Sequence, residues 1–296
     1  MNLGFIVHQL DAEFDIENIP PDEPFRRLLP KLYDAARIDF RRYMTAQFLR
    51  SFHGLMLENG DSVSKVYLAV FLSGEILDKI FSQGISDTLI FLHHPMDMES
   101  GNRGFLPLEE RYLAEMRRRR ISVYSLHSPL DIHQTISTGR AIAKALKLQD
   151  YKEYSRCSVG FAGIFGSLEE KIPFHGFIER VKAIFNIDDV HFIQRLPDVY
   201  RIGIIAGGGA EVEYIKETID AGCDTYLSGD FLNKVKTENS LRHRAEFEAI
   251  KDSLPINLVE CSHYATEKLV LVNEMQDYFN KLGLETEFIG QSDPWK

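Results

Sequence analysis

The sequence predicts an α/β protein built from two similar lobes. Apolar strands alternate with amphipathic helices along much of the chain, which favours parallel pairing in an α/β sheet. In addition, the motifs His127-Ser-Pro-Leu-Asp131 and His263-Tyr-Ala-Thr-Glu267 share one internal spacing and one offset (263 − 127 and 267 − 131 both equal 136). His94 precedes Asp230 by the same 136 residues. We therefore predict an internal repeat, with a divalent-metal site built between the two similar lobes.

The first lobe is predicted to span residues 46–147. In order, the predicted elements are a strand at 66–72, a helix with apolar Ile76, Leu77, Ile80 and Phe81, a buried strand at 88–92, a helix around 108–118, a strand at 121–125 and a helix at 138–148.

The second lobe is predicted to span residues 197–296 and repeats the plan. In order, the predicted elements are a strand at 201–205, a helix at 211–220, a strand around Tyr226 and Leu227, a strand at 256–259 and a helix from about 266 to 279. A run of three glycines, 207–209, joins the first strand to the first helix. No Lys-Ser/Thr follows it, and Glu211 and Glu213 would repel phosphate, so we expect close backbone packing there rather than a phosphate cradle.

Two segments lie outside the repeat. Residues 1–45 contain a predicted amphipathic helix with Asp22 as its cap, which is either an accessory helix packed on a lobe or an interaction arm. Residues 148–196 connect the lobes and contain a predicted strand at 161–166 and a helix at 173–185. Neither segment carries recognisable chemistry.

Composition excludes several classes of protein. The net charge of −10 argues against a nucleic-acid binder, and we expect the basic run 117–120 to be a solvated helix end. Three scattered cysteines without a Cys-x-x-Cys motif fit a reducing compartment. The chain shows neither a signal peptide nor an apolar stretch of about 20 residues. A soluble cytoplasmic protein that binds neither membrane nor nucleic acid is predicted.

The repeated motifs predict metal chemistry. His263 and Glu267 would share one helix face, whereas Pro129 restricts the His127 motif to a first helical turn. His93 and His94 end a strand before Pro95, so each could serve a different ion in a two-metal centre. Imidazole and carboxylate ligands suit Zn, Mn, Fe, Co or Ni, and the sequence leaves the metal open. The alternative is that the helical pair is solvated and the strand-end histidines bond backbone groups. We expect His133 to be a surface residue near Asp131.

Asp230 occupies the repeat position of His94 in the second lobe. It is predicted to be either an acceptor that orients a ligand or a helix cap.

The motifs together resemble the Nif-three-like family, whose members are often labelled GTP cyclohydrolase I type 2 homologues. They are Leu92-His-His-Pro95, His127-Ser-Pro-Leu-Asp131, Gly207-Gly-Gly-Ala210, Asp224-Thr-Tyr-Leu-Ser-Gly-Asp230 and Ser262-His-Tyr-Ala-Thr-Glu267. The resemblance implies two interlinked α/β lobes with a dinuclear metal site between them, and commonly a toroidal hexamer. It also implies five metal ligands: His93, His94, Asp131, His263 and Glu267. His127 is then a catalytic candidate that lines the site and moves a proton.

The function expected from this resemblance is a metal-dependent hydrolase acting on a small molecule, such as the purine nucleotide GTP. Two alternatives stay open at this point. One is a ring-shaped scaffold whose metals serve assembly or delivery, and the other is a regulatory protein that docks a partner through residues 1–45.

Overall fold

The computed structural model describes residues 1–99, 104–157, 159–231 and 238–294. The chain forms two compact α/β units. The first comprises Met1–Glu99, Phe105–His133 and Leu271–Ser292, and the second consists mainly of Gln134–Val270. Each unit contains a sheet of its own, so the predicted α/β class is confirmed.

The elements alternate along the chain as the sequence predicts. From the amino terminus they are α1 (Leu3–Glu13), α2 (Glu23–Ala35), α3 (Phe48–Ser51), β1 (Gly54–Leu57), β2 (Lys65–Phe71), α4 (Gly74–Ser82), β3 (Thr88–His94), β4 (Asp97–Glu99), β5 (Gly104–Leu106), α5 (Glu110–Arg118), β6 (Ile121–Ser125) and α6 (Ser128–Asp131). They continue with α7 (Thr138–Ala145), β7 (Gln149–Arg156), β8 (Phe161–Pro173), α8 (Phe174–Phe185), β9 (His191–Ile193), β10 (Asp198–Gly208), α9 (Val212–Asp220), β11 (Thr225–Asp230), α10 (Glu238–Ile250), β12 (Asn257–Glu260), α11 (His263–Val270), α12 (Gln276–Lys281) and β13 (Glu285–Phe288).

The sheet of the first unit has the strand order β1-β6-β3-β2-β13. Strands β13, β2, β3 and β6 are parallel, and β1 is antiparallel to β6. Strand β3 ends at His94, and β6 ends at Ser125, two residues before His127. Because parallel strands end at the same edge of a sheet, both histidine motifs lie at the carboxyl edge, where open α/β sheets bind ligands.

The sheet of the second unit has the order β7-β8-β10-β11-β12-β9. Strands β10, β11 and β12 are parallel, whereas β8 is antiparallel to β7 and to β10, and β9 is antiparallel to β12. Strand β12 ends at Glu260, and α11 begins at His263, three residues earlier than predicted. Helix α11 packs on α7, β10 and β11. This places the first turn of α11 beside the glycine run that ends β10.

The amino-terminal segment is a packed part of the first unit. Asp22 caps α2 by accepting the N–H of Phe25 at 3.1 Å, as the sequence predicts. The apolar face of α2 is buried through Phe25, Leu29 and Tyr33, which belong to the core cluster of this unit. Of the two predicted alternatives for this segment, the structure therefore favours an accessory helix. Helix α1 is an addition that the sequence did not reveal.

The basic run at the end of α5 lies among acidic and backbone partners. Arg118 and Arg119 pair with Glu115, and Arg120 pairs with Asp87. These are surface pairs of the kind that contribute little free energy. Within the described part of the chain, no helix combines the length and apolar character that crossing a membrane requires.

Candidate metal centre

Three imidazole rings converge at the carboxyl edge of the first sheet. His93 and His94, the last residues of β3, are buried, and their ring centroids lie 4.5 Å apart. The ring of His127 lies 4.9 Å from each of them. One ring nitrogen from each of the three lies within 4.8 Å of the others, a spacing at which they could hold one ion. Adjacent strand residues would normally point to opposite faces, so this convergence depends on the strand ending at His94.

His93 is oriented by a backbone carbonyl. Its Nδ1 lies 2.9 Å from the carbonyl oxygen of Leu126. Because a carbonyl only accepts, Nδ1 carries the proton and Nε2 carries the lone pair. That Nε2 lies 3.5 Å from Oδ1 of Asp131. A histidine that donates its other N–H to a carbonyl is the usual arrangement of a metal ligand.

Asp131 approaches the histidines from a single helical turn. His127 is the N-cap residue of α6, and Pro129 occupies its first turn, where proline is tolerated. The Nε2 of His127 lies 3.9 Å from Oδ2 of Asp131. The predicted restriction of this motif to a first turn is therefore confirmed.

Aromatic side chains enclose His94. Phe71 stacks on its ring at a centroid distance of 4.6 Å, and Phe25 meets it edge-on at 5.7 Å. These contacts fix the ring and exclude water on two sides, which strengthens electrostatic interactions at the remaining side.

The second unit presents a histidine-carboxylate pair on one helix face. The Nε2 of His263 lies 2.8 Å from Oε1 of Glu267, one turn along α11. The Glu267 side chain is only 5% exposed. The expectation that both residues lie in one helix is confirmed, because α11 begins at His263.

The glycine run at residues 207–209 leaves space for the side chains of His263 and Glu267. Gly207 has a φ of +62°, and a Cβ there would collide with Oε1 of Glu267 and lie 3.1 Å from Nε2 of His263. Its N–H donates to Oγ1 of Thr266 at 3.0 Å. A Cβ at Gly209 would likewise collide with Ser228 and Tyr226. The predicted close backbone packing is confirmed.

The sequence did not predict that the Asp22 side chain would bond to a histidine of this cluster. Its Oδ2 lies 2.7 Å from Nδ1 of His127 and accepts a hydrogen bond from Oγ of Ser128 at 2.6 Å. Burial alone would raise the pKa of Asp22, but the His127 charge and these hydrogen bonds hold it well below its usual range. Burial alone would lower the pKa of His127, but Asp22 raises it above its ordinary value. No sequence signal links the two residues, which are 105 positions apart.

Two other residues of the sequence prediction, His133 and Asp230, have backbone partners. The Nε2 of His133 bonds the carbonyl of Glu13 at 3.0 Å, and the ring of Phe14 lies 4.8 Å away. Asp230 is buried at the end of β11, where its carbonyl accepts the N–H of Gly209 at 2.8 Å.

The fold and the side chains described above define an α/β protein whose histidine and carboxylate groups are suited to a divalent metal. Their donor atoms are imidazole nitrogens and carboxylate oxygens, a set that fits Zn, Mn, Fe, Co or Ni. A sequence model of the family Duf34/NIF3 (NGG1p interacting factor 3) matches residues 50–294. The chain therefore belongs to this family.

The chain is also similar to named relatives in sequence and to solved structures in fold. A protein of Buchnera aphidicola subsp. Schizaphis graminum, named GTP cyclohydrolase 1 type 2 homolog, is 26% identical over 82% of this chain and 90% of its own length. The fold is similar to that of protein ybgI, described as of unknown function, with a TM-score of 0.70, 16% identity and coverage of 99% and 100% of the two chains. It is also similar to TTHA1606 from Thermus thermophilus, with a TM-score of 0.69, 18% identity and 99% coverage of both chains.

Proposed function

We propose that this protein binds two divalent metal ions and uses them to hydrolyse a small molecule. The proposed ligands are His93, His94, Asp131, His263 and Glu267. The observation that carries the proposal is the geometry of His93, which donates Nδ1–H to a carbonyl while Nε2 faces the Asp131 carboxylate. With Nδ1 protonated in the neutral ring, the Nε2 lone pair of His93 and the Asp131 carboxylate are two acceptors 3.5 Å apart, which a cation could bind together.

The proposal of a dinuclear centre shared by both sets of ligands rests on the sequence. The constant offset of 136 residues between the two His-x-x-x-acid motifs is what duplication of one lobe would leave (263 − 127 = 136). The family resemblance joins the same five residues in one centre. Adjacent histidines and separate carboxylates supply enough donors for two ions, which typically lie about 3.5–4 Å apart.

The proposed reaction is hydrolysis of a purine nucleotide such as GTP, in the guanine ring. It is supported by the name of the relatives, GTP cyclohydrolase 1 type 2 homolog. When bound, the metal ions would supply Lewis acidity and lower the pKa of a water. The chain itself would contribute His127, which is partly exposed and within reach of Asp131, as the group that moves a proton.

Metal analysis of purified variants tests the ligand assignment. We expect His94→Ala and Glu267→Gln each to lower the metal content per chain to about half or less, because each removes a proposed ligand. His175→Ala and Glu169→Gln are matched controls on exposed side chains and should retain full metal content. Elemental analysis, with circular dichroism to check the fold, gives the result. Unchanged metal content in both ligand variants would refute the assignment.

A substrate screen separates an enzyme from a metal-binding scaffold. The metal-loaded protein is incubated with GTP, other nucleotides, phosphoesters and cyclic amides, and products are followed by mass spectrometry. Turnover that disappears in Glu267→Gln supports the hydrolase. Full metal occupancy without turnover of any compound favours the scaffold.

We also propose a homo-hexamer, on the family resemblance alone, and a cytoplasmic location, because three scattered cysteines fit a reducing compartment. Light scattering coupled to size-exclusion chromatography measures the mass of the assembly directly, and a monomer mass would contradict the hexamer.

A further inference from the structure

Asp22 comes from a part of the chain that precedes the family match at residues 50–294. Its side chain is nevertheless buried against the histidine cluster of the first unit. We infer that Asp22 is a positioning residue for His127, which fixes the ring so that Nδ1 carries a proton and Nε2 is directed toward Asp131. The catalytic consequence rests on the proposed function, whereas the orientation of the ring does not.

Asp22 is itself held firmly. Its backbone N–H donates to the carbonyl of Ser51 at 2.8 Å, and its Oδ1 accepts the N–H of Phe25 at 3.1 Å. Its Oδ2 then accepts from Ser128 and from His127. Both carboxylate oxygens therefore have defined partners, and the carboxylate cannot rotate without losing the cap of α2.

The bond determines which nitrogen of His127 faces the site. A carboxylate only accepts hydrogen bonds, so Nδ1 must carry the proton in both the neutral and the cationic ring. Nε2, which lies 3.9 Å from Oδ2 of Asp131, is then the atom that can take or give a proton there. Without Asp22, a histidine is free to adopt either neutral tautomer.

Packing by the start of α2 also helps to position the His127 ring. The ring of Phe25 lies 4.6 Å from the ring of His127. The first turn of α2 therefore contacts His127 through both a carboxylate and an aromatic ring. Hydrogen bond and packing together fix the ring plane, as a group that orients a catalytic histidine must.

Asp22→Asn is the most direct test, because asparagine has the shape of aspartate and can still cap α2. Asparagine has a single oxygen; if that oxygen keeps the bond to Phe25, the NH₂ group faces Nδ1 of His127. Nδ1 must then be unprotonated, so we expect the ring to switch from the Nδ1–H to the Nε2–H tautomer. Solid-state NMR of ¹⁵N-histidine-labelled, metal-free protein at alkaline pH measures this, with the His127 signal identified by its loss in His127→Asn.

Two further variants test whether the tautomer of His127 depends on the Asp22 carboxylate itself. Asp22→Ser can cap α2 but is too short to reach His127, so the Nδ1–H tautomer should lose its dominance. Ser128→Ala removes the other partner of Oδ2, and its spectrum should match that of the wild type. An Nε2–H ring in the wild type, or the same tautomer in wild type and Asp22→Asn, would overturn the inference.

The tautomer is measured without metal, so its outcome does not depend on the proposed function. If the metal-loaded protein turns over a substrate, Asp22→Asn should keep its metal content and lose about 10²–10⁴-fold in kcat. Failure to bind metal in the wild type would refute the proposed function while leaving the tautomer result standing.

Discussion

Among single residues, Gly207 has a backbone conformation that leaves space for two proposed ligands, His263 and Glu267. It adopts a φ of +62°, and the Glu267 carboxylate occupies the space that a side chain would need. A glycine here thus serves two needs: a left-handed conformation and the close approach of a charged group.

Gly207→Ala should therefore lower both stability and metal content. The left-handed conformation costs alanine about 1–2 kcal/mol, and the new methyl group displaces Glu267. Gly222→Ala is the matched control, because its φ is +74° and nothing lies within 4 Å of the added Cβ. It should lose comparable stability in urea denaturation but keep its metal. Equal metal content in the two variants would show that Gly207 does not make room for a ligand.

His53 provides a prediction of pH dependence that is independent of the proposed ligands. It is fully buried, and burial lowers the pKa of its imidazole despite the opposing charges of Asp22 and Asp11. In the unfolded chain a histidine titrates near its ordinary value of about 6.5. The unfolded state therefore binds the proton more readily, and the stability that neutral His53 contributes is lost as pH falls below that value.

We expect the free energy of unfolding to fall less steeply in His53→Gln than in the wild type between about pH 7 and pH 5. Urea denaturation at several pH values measures the slope. His8→Gln, on an exposed helix position, should reproduce the slope of the wild type. A slope that His53→Gln leaves unchanged would contradict the prediction.

At the scale of secondary-structure elements, local signals determine where helices begin. Ser73 is buried, and its hydroxyl accepts the N–H of Ile76 at 3.2 Å, which caps α4 directly after β2. Ser73→Ala leaves that N–H without its side-chain acceptor, so we expect a loss of about 1 kcal/mol. Ser82→Ala removes an exposed hydroxyl at the end of the same helix and should cost less than about 0.5 kcal/mol. Equal losses in thermal or urea denaturation would argue against the capping role.

The order of strands and helices could be predicted because it depends on short-range patterns. The apolar run from Val66 and the run from Thr88 both became buried parallel strands. Pairing between distant strands could not be predicted in this way. β13, at the end of the chain, pairs with β2 through the register Glu285↔Lys65, and no local pattern specifies that partnership.

The contacts of the candidate site also differ in whether a short-range sequence pattern could predict them. His263 and Glu267 were predicted to act together because helix periodicity brings residues four apart onto one face. The contact between Asp22 and His127 joins residues 105 positions apart. Only tertiary packing of α2 creates it, and the sequence presents Asp22 as nothing more than a helix cap.

At the scale of the whole molecule, metal binding should couple to thermal stability. A ligand that binds only the native state at about 100 times its Kd adds about 2.7 kcal/mol, which corresponds to a rise in Tm on the order of 5 °C. We expect Mn²⁺ or Zn²⁺ to raise the Tm of the EDTA-treated wild type by this amount in differential scanning calorimetry. Mg²⁺ at equal concentration is the control and should have a smaller effect, because it prefers oxygen ligands. No metal-dependent shift in the wild type would contradict the proposed centre.

Five side chains are proposed to hold two metal ions, and anomalous diffraction from metal-loaded crystals can locate those ions. Data collected on both sides of the metal absorption edge would locate each ion without reference to any assumed site. We expect two peaks about 3.5–4 Å apart, ligated by His93, His94, Asp131, His263 and Glu267. Peaks at other side chains, or no peak at these five in crystals grown with saturating metal, would contradict the proposal.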